Sequence, residues 1–562
     1  MLGKIFDRVL QEDEEYEMHR VEKEAGPKKD RSSTNSILWI YTIPVIVFLL
    51  ALLPRLVYLF YFTDPFKVGP NWYGDVYHHW QIAILSKDVG FKQGFLRLWD
   101  FKGLEYYWGL LHPLVVIIGF VISGSTSILV PRMISVLFGS LSVVLVYLII
   151  YRHFNIYSAI LSAAFASLLP VSLFSDTLGM QEPLGFFFLL LGIYIWPKYA
   201  FWTGFVWMLA GMERSEYWLF GIGLVISVLL KGKNSQAKIF LVVGYIIPFV
   251  LYMKYLLDYT GNPIYPIYHN FLATVVGKWF IKEGVILSTK VQLIKTISQI
   301  ISVASIVSGL AILLKRPRGY LFFLVGLASI SHLSFVFGFG SYLYGYPEDG
   351  IVTVIDRNFV DRLVVWPYIF IASMLSILLL YFLPRFLPKV LRRAVMVLGS
   401  LVLAVLLLLS QISWLSINYH YSRAMGPLEG DEVFAGTIAK HYKGQGNILL
   451  PEGRATLTYY LIDKEKIPAE RLISQLYNPF YYYEGGDDPF QNWGEFRLEI
   501  FKWLIKTDAE LAVLTGNFAP SENSDNFVKA VLREEKYFEL LEDNRGTRVY
   551  RVKLDEIEQI VN

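Results

Sequence analysis

Apolar and polar positions divide the chain into long apolar runs joined by short polar loops. The runs 37–62, 128–151, 236–257, 293–314, 319–338, 363–383 and 390–412 are each long enough for a membrane-crossing helix, which needs about 17–25 residues. Shorter runs at 157–173, 183–197, 199–213 and 215–231 bring the expected total to about eleven spans by the same criterion. From about residue 415 the pattern changes to charged sequence with strand-like runs (NILLP, LISQL, AELAVLTG), helical stretches at 493–505 and 525–535, and a closing hairpin, YFELLEDNRGTRVYRVK. This reads as a small α/β domain without a phosphate-binding glycine loop. The expected fold class is therefore a polytopic α-helical membrane protein with a small C-terminal α/β domain. Its expected parts are a polar tail (1–36), a transmembrane domain (37–413) with a long first loop (63–127), and a soluble domain (414–562).

Charge placement orients these spans. Arg152-His153, Lys231-Gly232-Lys233, Lys315-Arg316-Pro317-Arg318 and the stretch Arg385 to Arg393 are basic and contain no acid. They belong on one side, and the positive-inside rule makes that side the cytoplasm. The parity holds if 199–231 crosses twice and if 109–123, GLLHPLVVIIGFVIS, lies in the interface without crossing. The N-terminus is then cytoplasmic. The loops 63–127, 172–183, 258–290 and 339–362 lie outside with the C-terminal domain, as expected of a multi-pass cell-membrane protein. Residues 1–36 are polar and charged, unlike a cleavable signal, and the first apolar run starts near Ile37.

Composition narrows the chemistry. Residues are 54% hydrophobic and 18% charged, with a net charge of +3, a balance that suggests no nucleic-acid partner. The absence of cysteine excludes a disulfide framework, thiolate catalysis and Cys-ligated metals. Aromatic residues make up 16%, which suits long membrane–water interfaces and a sugar-binding surface. No internal repeat is visible, which weighs against a transporter built from inverted repeats.

The candidate chemistry falls in the outer loops. Gly74-Asp75-Val76-Tyr77-His78-His79-Trp80 sets a carboxylate among groups able to orient a general base acting on an acceptor hydroxyl or amine. His78 or His79 would orient Asp75 or ligate a metal; the alternative is a loop whose aromatics only anchor it. In Ser175-Asp176 to Gln181-Glu182-Pro183, helix capping explains Asp176. Glu182 would support the base, bind a sugar hydroxyl or hold a divalent cation (Mg or Mn) with Asp75, although Glu before Pro also marks a helix start. Arg132, Arg357 and Arg362 are candidate phosphate ligands, since arginine forms bidentate pairs with phosphate. Adjacent acids offer Arg357 and Arg362 local ion pairs instead. Glu213-Arg214-Ser215-Glu216 either reaches the same cavity or fixes its helices, and Tyr265-Pro266-Ile267-Tyr268-His269 is an interfacial anchor or a substrate contact. Gly485-Gly486-Asp487-Asp488 reads as a turn.

In their order these features resemble the GT-C superfamily of membrane glycosyltransferases, in its protein-mannosyltransferase and aminoarabinose-transferase-like branch. The resemblance rests on Asp75 after the first span and His112-Pro113-Leu114 before an interfacial helix. It continues with Arg132 opening a span that ends Tyr151-Arg152-His153-Phe154, then Glu182, and covers roughly 37–383. It implies transfer of a sugar from a polyprenyl- or dolichyl-phosphate carrier, within membrane lipid, to a protein, lipid or glycan acceptor. Asp75 would be the base, Glu182 the second carboxylate, and Arg132, Arg357 and Arg362 the cations near the donor phosphate. His112 would shape the loop or take part in catalysis, as Tyr77, His78, His79, Tyr268 and His269 would contact substrate or shape theirs. The chain departs from the family's His-Pro-Pro. It also lacks a Trp-Trp-Asp signature, the nearest being Asn492-Trp493-Gly494, which argues against transfer of a preassembled glycan to asparagine. The rival expectation is a polytopic lipid or glycan transporter or flippase.

Overall fold

The computed structural model describes residues 33–67, 70–90, 108–231, 235–272, 286–339, 351–352, 357–424, 429–450, 455–474, 493–515, 534–544 and 547–561. They form two compact units, one within Met1–Thr63 and Arg132–His420, the other within Asp64–Pro131 and Tyr421–Asn562. The division differs from the one expected at 413/414, because the first loop groups with the C-terminal segment.

Along the chain the helices are α1 (Ser33–Val57), α2 (Pro70–Leu85), α3 (Leu111–Ser123), α4 (Leu129–His153), α5 (Ile156–Leu168), α6 (Pro170–Thr177), α7 (Glu182–Ile195), α8 (Ala200–Gly211), α9 (Ser215–Lys231) and α10 (Ser235–Thr260). They continue as α11 (Tyr265–Leu272), α12 (Thr289–Lys315), α13 (Tyr320–Phe339), α14 (Arg357–Ile377) and α15 (Lys389–Ala424). By length and composition, seven segments among the described residues can cross a membrane: Thr42–Phe62, Leu129–His153, Ser235–Thr260, Thr289–Lys315, Tyr320–Phe339, Leu363–Arg385 and Leu391–Gln411. They coincide with the seven long apolar runs.

The short runs behave differently. Helices α5 and α6 meet at a 58° bend at Pro170, whose missing N–H and fixed φ interrupt the helical ladder. With that pair taken as one broken span the count is eight, while α7, α8 and α9 are shorter apolar helices. The expectation of about eleven spans thus included three helices that length alone does not qualify. Helices α8 and α10 approach through glycines: a Cβ on Gly204 would sit 2.1 Å from the Leu241 carbonyl oxygen, and one on Gly244 would sit 2.0 Å from that of Phe201. Such closeness is how small residues let apolar helices pack by van der Waals contact.

In the second unit α16 (Glu429–His441), β1 (Asn447–Leu450), α17 (Ala455–Tyr459), β2 (Leu472–Ser474), α18 (Trp493–Lys506), β3 (Ala509–Thr515), β4 (Phe538–Asn544), β5 (Thr547–Val552) and α19 (Leu554–Val561) follow in order. The strands form one sheet, β2-β1-β3-β5-β4. Strand β1 runs parallel to β2 and β3, and β5 runs antiparallel to β3 and β4. Phe496, Phe501 and Leu504 of α18 pack on Leu449, Ala512, Leu514 and Tyr550 of the sheet. The strands lie where the alternating runs predict them, whereas the expected helix 525–535 lies mostly outside the described residues and Gly485 to Asp488 wholly so.

Candidate functional site

The sequence-predicted residues fall in both units. In the second unit, α2 carries Asp75, His78 and His79 at i, i+3 and i+4, a spacing that puts them on one helical face. The Trp108 ring lies 5.8 Å from that of His78 and 4.7 Å from that of His79. The His112 ring, at the start of α3, meets His79 edge-on at 5.0 Å. His79 and His112 are buried, while Asp75 and His78 are half-buried. Burial pushes the His78 pKa down, and the Asp75 carboxylate pulls it part of the way back, so the imidazole is neutral at neutral pH. A carboxylate beside a neutral imidazole and an indole can take a proton from an acceptor and hold that acceptor on an aromatic surface.

Tyr77 is placed differently. It is fully buried, on the other side of α2, with its ring 5.3 Å from Tyr459. Of the two roles expected for it, this position serves shaping of the element and leaves no open face for substrate. Leu111–Ser123, the segment expected not to cross, is a 13-residue helix of this second unit, capped by Gly124 at φ 65°. Glycine adopts that left-handed conformation without strain.

In the first unit Glu182 opens α7, followed by Pro183 in the first turn, where the missing N–H of proline is harmless. Its carboxylate accepts from Arg214 Nη1 at 2.6 Å. Arg214 also pairs through Nε with Glu216, and Glu213 and His332 interact electrostatically with members of the same group. Glu213 is fully buried and Glu182 nearly so. The motif Glu213-Arg214-Ser215-Glu216 therefore brackets Glu182 instead of standing apart from it.

Arg132 is buried at the start of α4. Its Nε donates to the Thr177 carbonyl at 2.8 Å and its Nη2 to the Thr63 hydroxyl at 3.0 Å. The guanidinium thus ties the end of α6 to the turn after α1, and a phosphate would reach it only in exchange for these bonds. Asp176, expected to cap a helix, instead lies within α6 and pairs with Arg55, accepting from Nε at 2.9 Å and from Nη2 at 2.7 Å. Tyr268 and His269 lie on α11, with the His269 ring 4.0 Å from Tyr265 and Tyr268 exposed. Arg357 and Arg362 lie on α14, but their side chains fall outside the described residues.

Asp75 and Glu182, the expected metal pair, belong to different units. Among the described residues no group of three or more His, Asp or Glu is arranged to hold a metal ion. Sequence reasoning missed Arg55 and His332, because each is a single ionisable residue inside an apolar run; that isolation was itself the available signal, since an ionisable group there needs a partner.

No family model and no curated protein matches this chain. Among solved structures it is similar to the Archaeoglobus fulgidus oligosaccharyltransferase in its apo form, with 13% identity, a TM-score of 0.47, and coverage of 85% of this chain and 69% of that one. ArnT from Cupriavidus metallidurans bound to undecaprenyl phosphate gives 14% identity and a TM-score of 0.47, covering 92% of this chain and 98% of that one. The archaeal oligosaccharyltransferase AglB from Archaeoglobus fulgidus, in complex with an inhibitory peptide and a dolichol-phosphate, gives 14% and 0.47, with coverage of 92% and 74%.

Proposed function

We propose that this chain is a membrane glycosyltransferase that passes a sugar from a polyprenyl- or dolichyl-phosphate donor to a protein, lipid or glycan acceptor on the outer face of the membrane. The observation that carries this reading is the single face of α2 on which Asp75 stands with His78 and His79, closed by Trp108 and His112. The Asp75 carboxylate takes the proton of the acceptor hydroxyl or amine. The freed lone pair attacks the anomeric carbon as the bond from that carbon to the phosphate oxygen breaks. Polyprenyl phosphate leaves with the electron pair, and the anomeric configuration inverts. Within the first unit, Glu182 is proposed as the second carboxylate of the reaction, and Arg357 and Arg362 are proposed to hold the donor phosphate. Fixing donor and acceptor at one depth supplies much of the rate.

The test is transfer of radiolabelled sugar from a panel of polyprenyl-phosphate donors by the purified full chain, in EDTA and in added Mg or Mn. Asp75→Asn is expected to lower turnover at least about a hundredfold, the low end for loss of a general base. Undiminished turnover in both Asp75→Asn and Glu182→Gln would sink the assignment. The second reading, a lipid or glycan transporter, is favoured by one observation: His332, near the middle of the 20-residue apolar helix α13, interacts electrostatically with the Glu216–Arg214 pair, and ionisable groups so placed often mark transport paths. Movement of the lipid across liposomes without transfer would select it.

A further inference from the structure

The C-terminal segment holds the helix that carries Asp75, and it does so from behind. At about 100° per residue, with Asp75 taken as zero, His78 and His79 lie at about 300° and about 40° around α2. On the same scale Trp80, Tyr77 and Gln81 lie at about 140°, about 200° and about 240°, centred opposite Asp75. Each of these three touches α17. The Tyr459 ring lies 5.3 Å from that of Tyr77 and meets Trp80 edge-on at 4.9 Å. Gln81 Nε2 donates to the Thr458 hydroxyl at 3.1 Å, with both groups buried.

The grip extends to the chain just ahead of α4. Trp80 Nε1 donates to the Thr126 carbonyl, and the Thr126 hydroxyl donates to Asp463 at 3.3 Å. Tyr459 hydrogen-bonds to Ser127 and Ile128. All of these residues belong to the second unit. A helix held by two aromatic contacts and a buried hydrogen bond on one face has its rotation fixed, and with it the direction of the opposite face.

The geometry points to Tyr459 and Thr458 as positioning residues that set where Asp75 is presented, so that the C-terminal domain acts as a clamp on the base helix. Calling Asp75 the base rests on the proposed function; the clamp itself does not. A displacement of about 1 Å at a reacting group is enough to lower a rate by about a hundredfold, so rotational play in α2 would be felt directly in turnover.

The chain contains no cysteine, so Asp75→Cys introduces a unique thiol whose rate of maleimide labelling reports the presentation of that position. In the full-length protein, adding Tyr459→Leu is expected to change this rate several-fold, and Thr458→Val by less. Tyr459→Phe, which keeps the ring contacts, is expected to restore it. In the parent with Asp75 intact, Tyr459→Leu is expected to lower kcat by about a hundredfold with KM little changed, again recovered by Tyr459→Phe. If Tyr459→Leu fails to fold, Thr458→Val decides, since it only exchanges the hydroxyl for a methyl group. An unchanged labelling rate in the folded clamp variants overturns the inference, whatever happens to turnover. A changed labelling rate in a protein whose parent transfers no sugar upholds the clamp and sinks the proposed function.

Discussion

A methyl group on Gly139 would sit 2.4 Å from Cγ of Asp176, so the carboxylate occupies space that only glycine leaves free on α4. This close approach lets Asp176 meet both Nε and Nη2 of Arg55. The pair is buried, and Gly139 is expected to be needed for it. Breaking a buried pair by displacing one partner costs about 3–5 kcal/mol. Gly139→Ala and Asp176→Ala are therefore expected to lower the detergent-solubilised melting temperature by similar amounts. The double variant Arg55→Met, Asp176→Leu, which leaves no orphan charge, should be the milder. Equal melting of Gly139→Ala and wild type would show that Asp176 can yield at no loss.

Helices α8 and α10 make a second prediction of the same kind, but through backbone instead of charge. Both Gly204 and Gly244 face a carbonyl oxygen at about 2 Å from any added Cβ, and backbone cannot swing aside as a side chain can. Gly244→Leu is expected to abolish the folded monomeric peak in size-exclusion chromatography. Gly223, which has nothing within 4 Å of an added Cβ, should accept alanine without effect.

Much of this was legible in the sequence because it follows from length and period. A run of some twenty apolar residues can satisfy its backbone only as a helix in lipid, and alternation between turn residues marks a strand. What could not be read is pairing across distance. Asp176 looked like a cap because its partner, Arg55, lies 121 positions away inside an apolar run. For Tyr77 the sequence left substrate contact and loop shaping both open, because it stands two positions from Asp75, and two residues along a helix face nearly opposite ways. Local motifs assign residues to elements; which side of an element faces the reaction is decided by packing.

His78 makes a prediction about pH. Burial lowers its pKa from the ordinary 6.5, and Asp75 opposes that shift. Above about pH 6.5 the ring is neutral whether folded or unfolded, and this contribution to stability is fully present. As pH falls below that value the unfolded chain takes up a proton that the folded chain refuses, so stability declines until the folded pKa is passed. His78→Phe should flatten the fall in melting temperature below about pH 6.5 relative to wild type. Asp75→Asn, which removes the charge that raises the His78 pKa, should deepen the fall. An Asp75→Asn profile that matches wild type would show that the two groups do not interact.

Two charge networks invite the same count of ion pairs and are expected to differ in worth. On the second unit Lys67 and Lys464 both reach Glu432, at 3.1 Å and 2.7 Å, and these bonds hold the Glu432 carboxyl below its usual range. Their side chains are 35% and 52% exposed, so water screens them, and each pair contributes at most about 1 kcal/mol. On the first unit Arg214 joins Glu182 and Glu216 with the guanidinium 17% exposed and both carboxylates below 10%. Removing that arginine strands two buried carboxylates, at about 3–5 kcal/mol, and lysine does not replace its planar fork. Lys464→Ala is therefore expected to leave the melting temperature nearly unchanged at any salt concentration, whereas Arg214→Leu should lower it by many degrees and Arg214→Lys by less. A large loss in Lys464→Ala with little in Arg214→Leu would reverse the ranking of exposed and buried pairs on which the account of Glu182 rests.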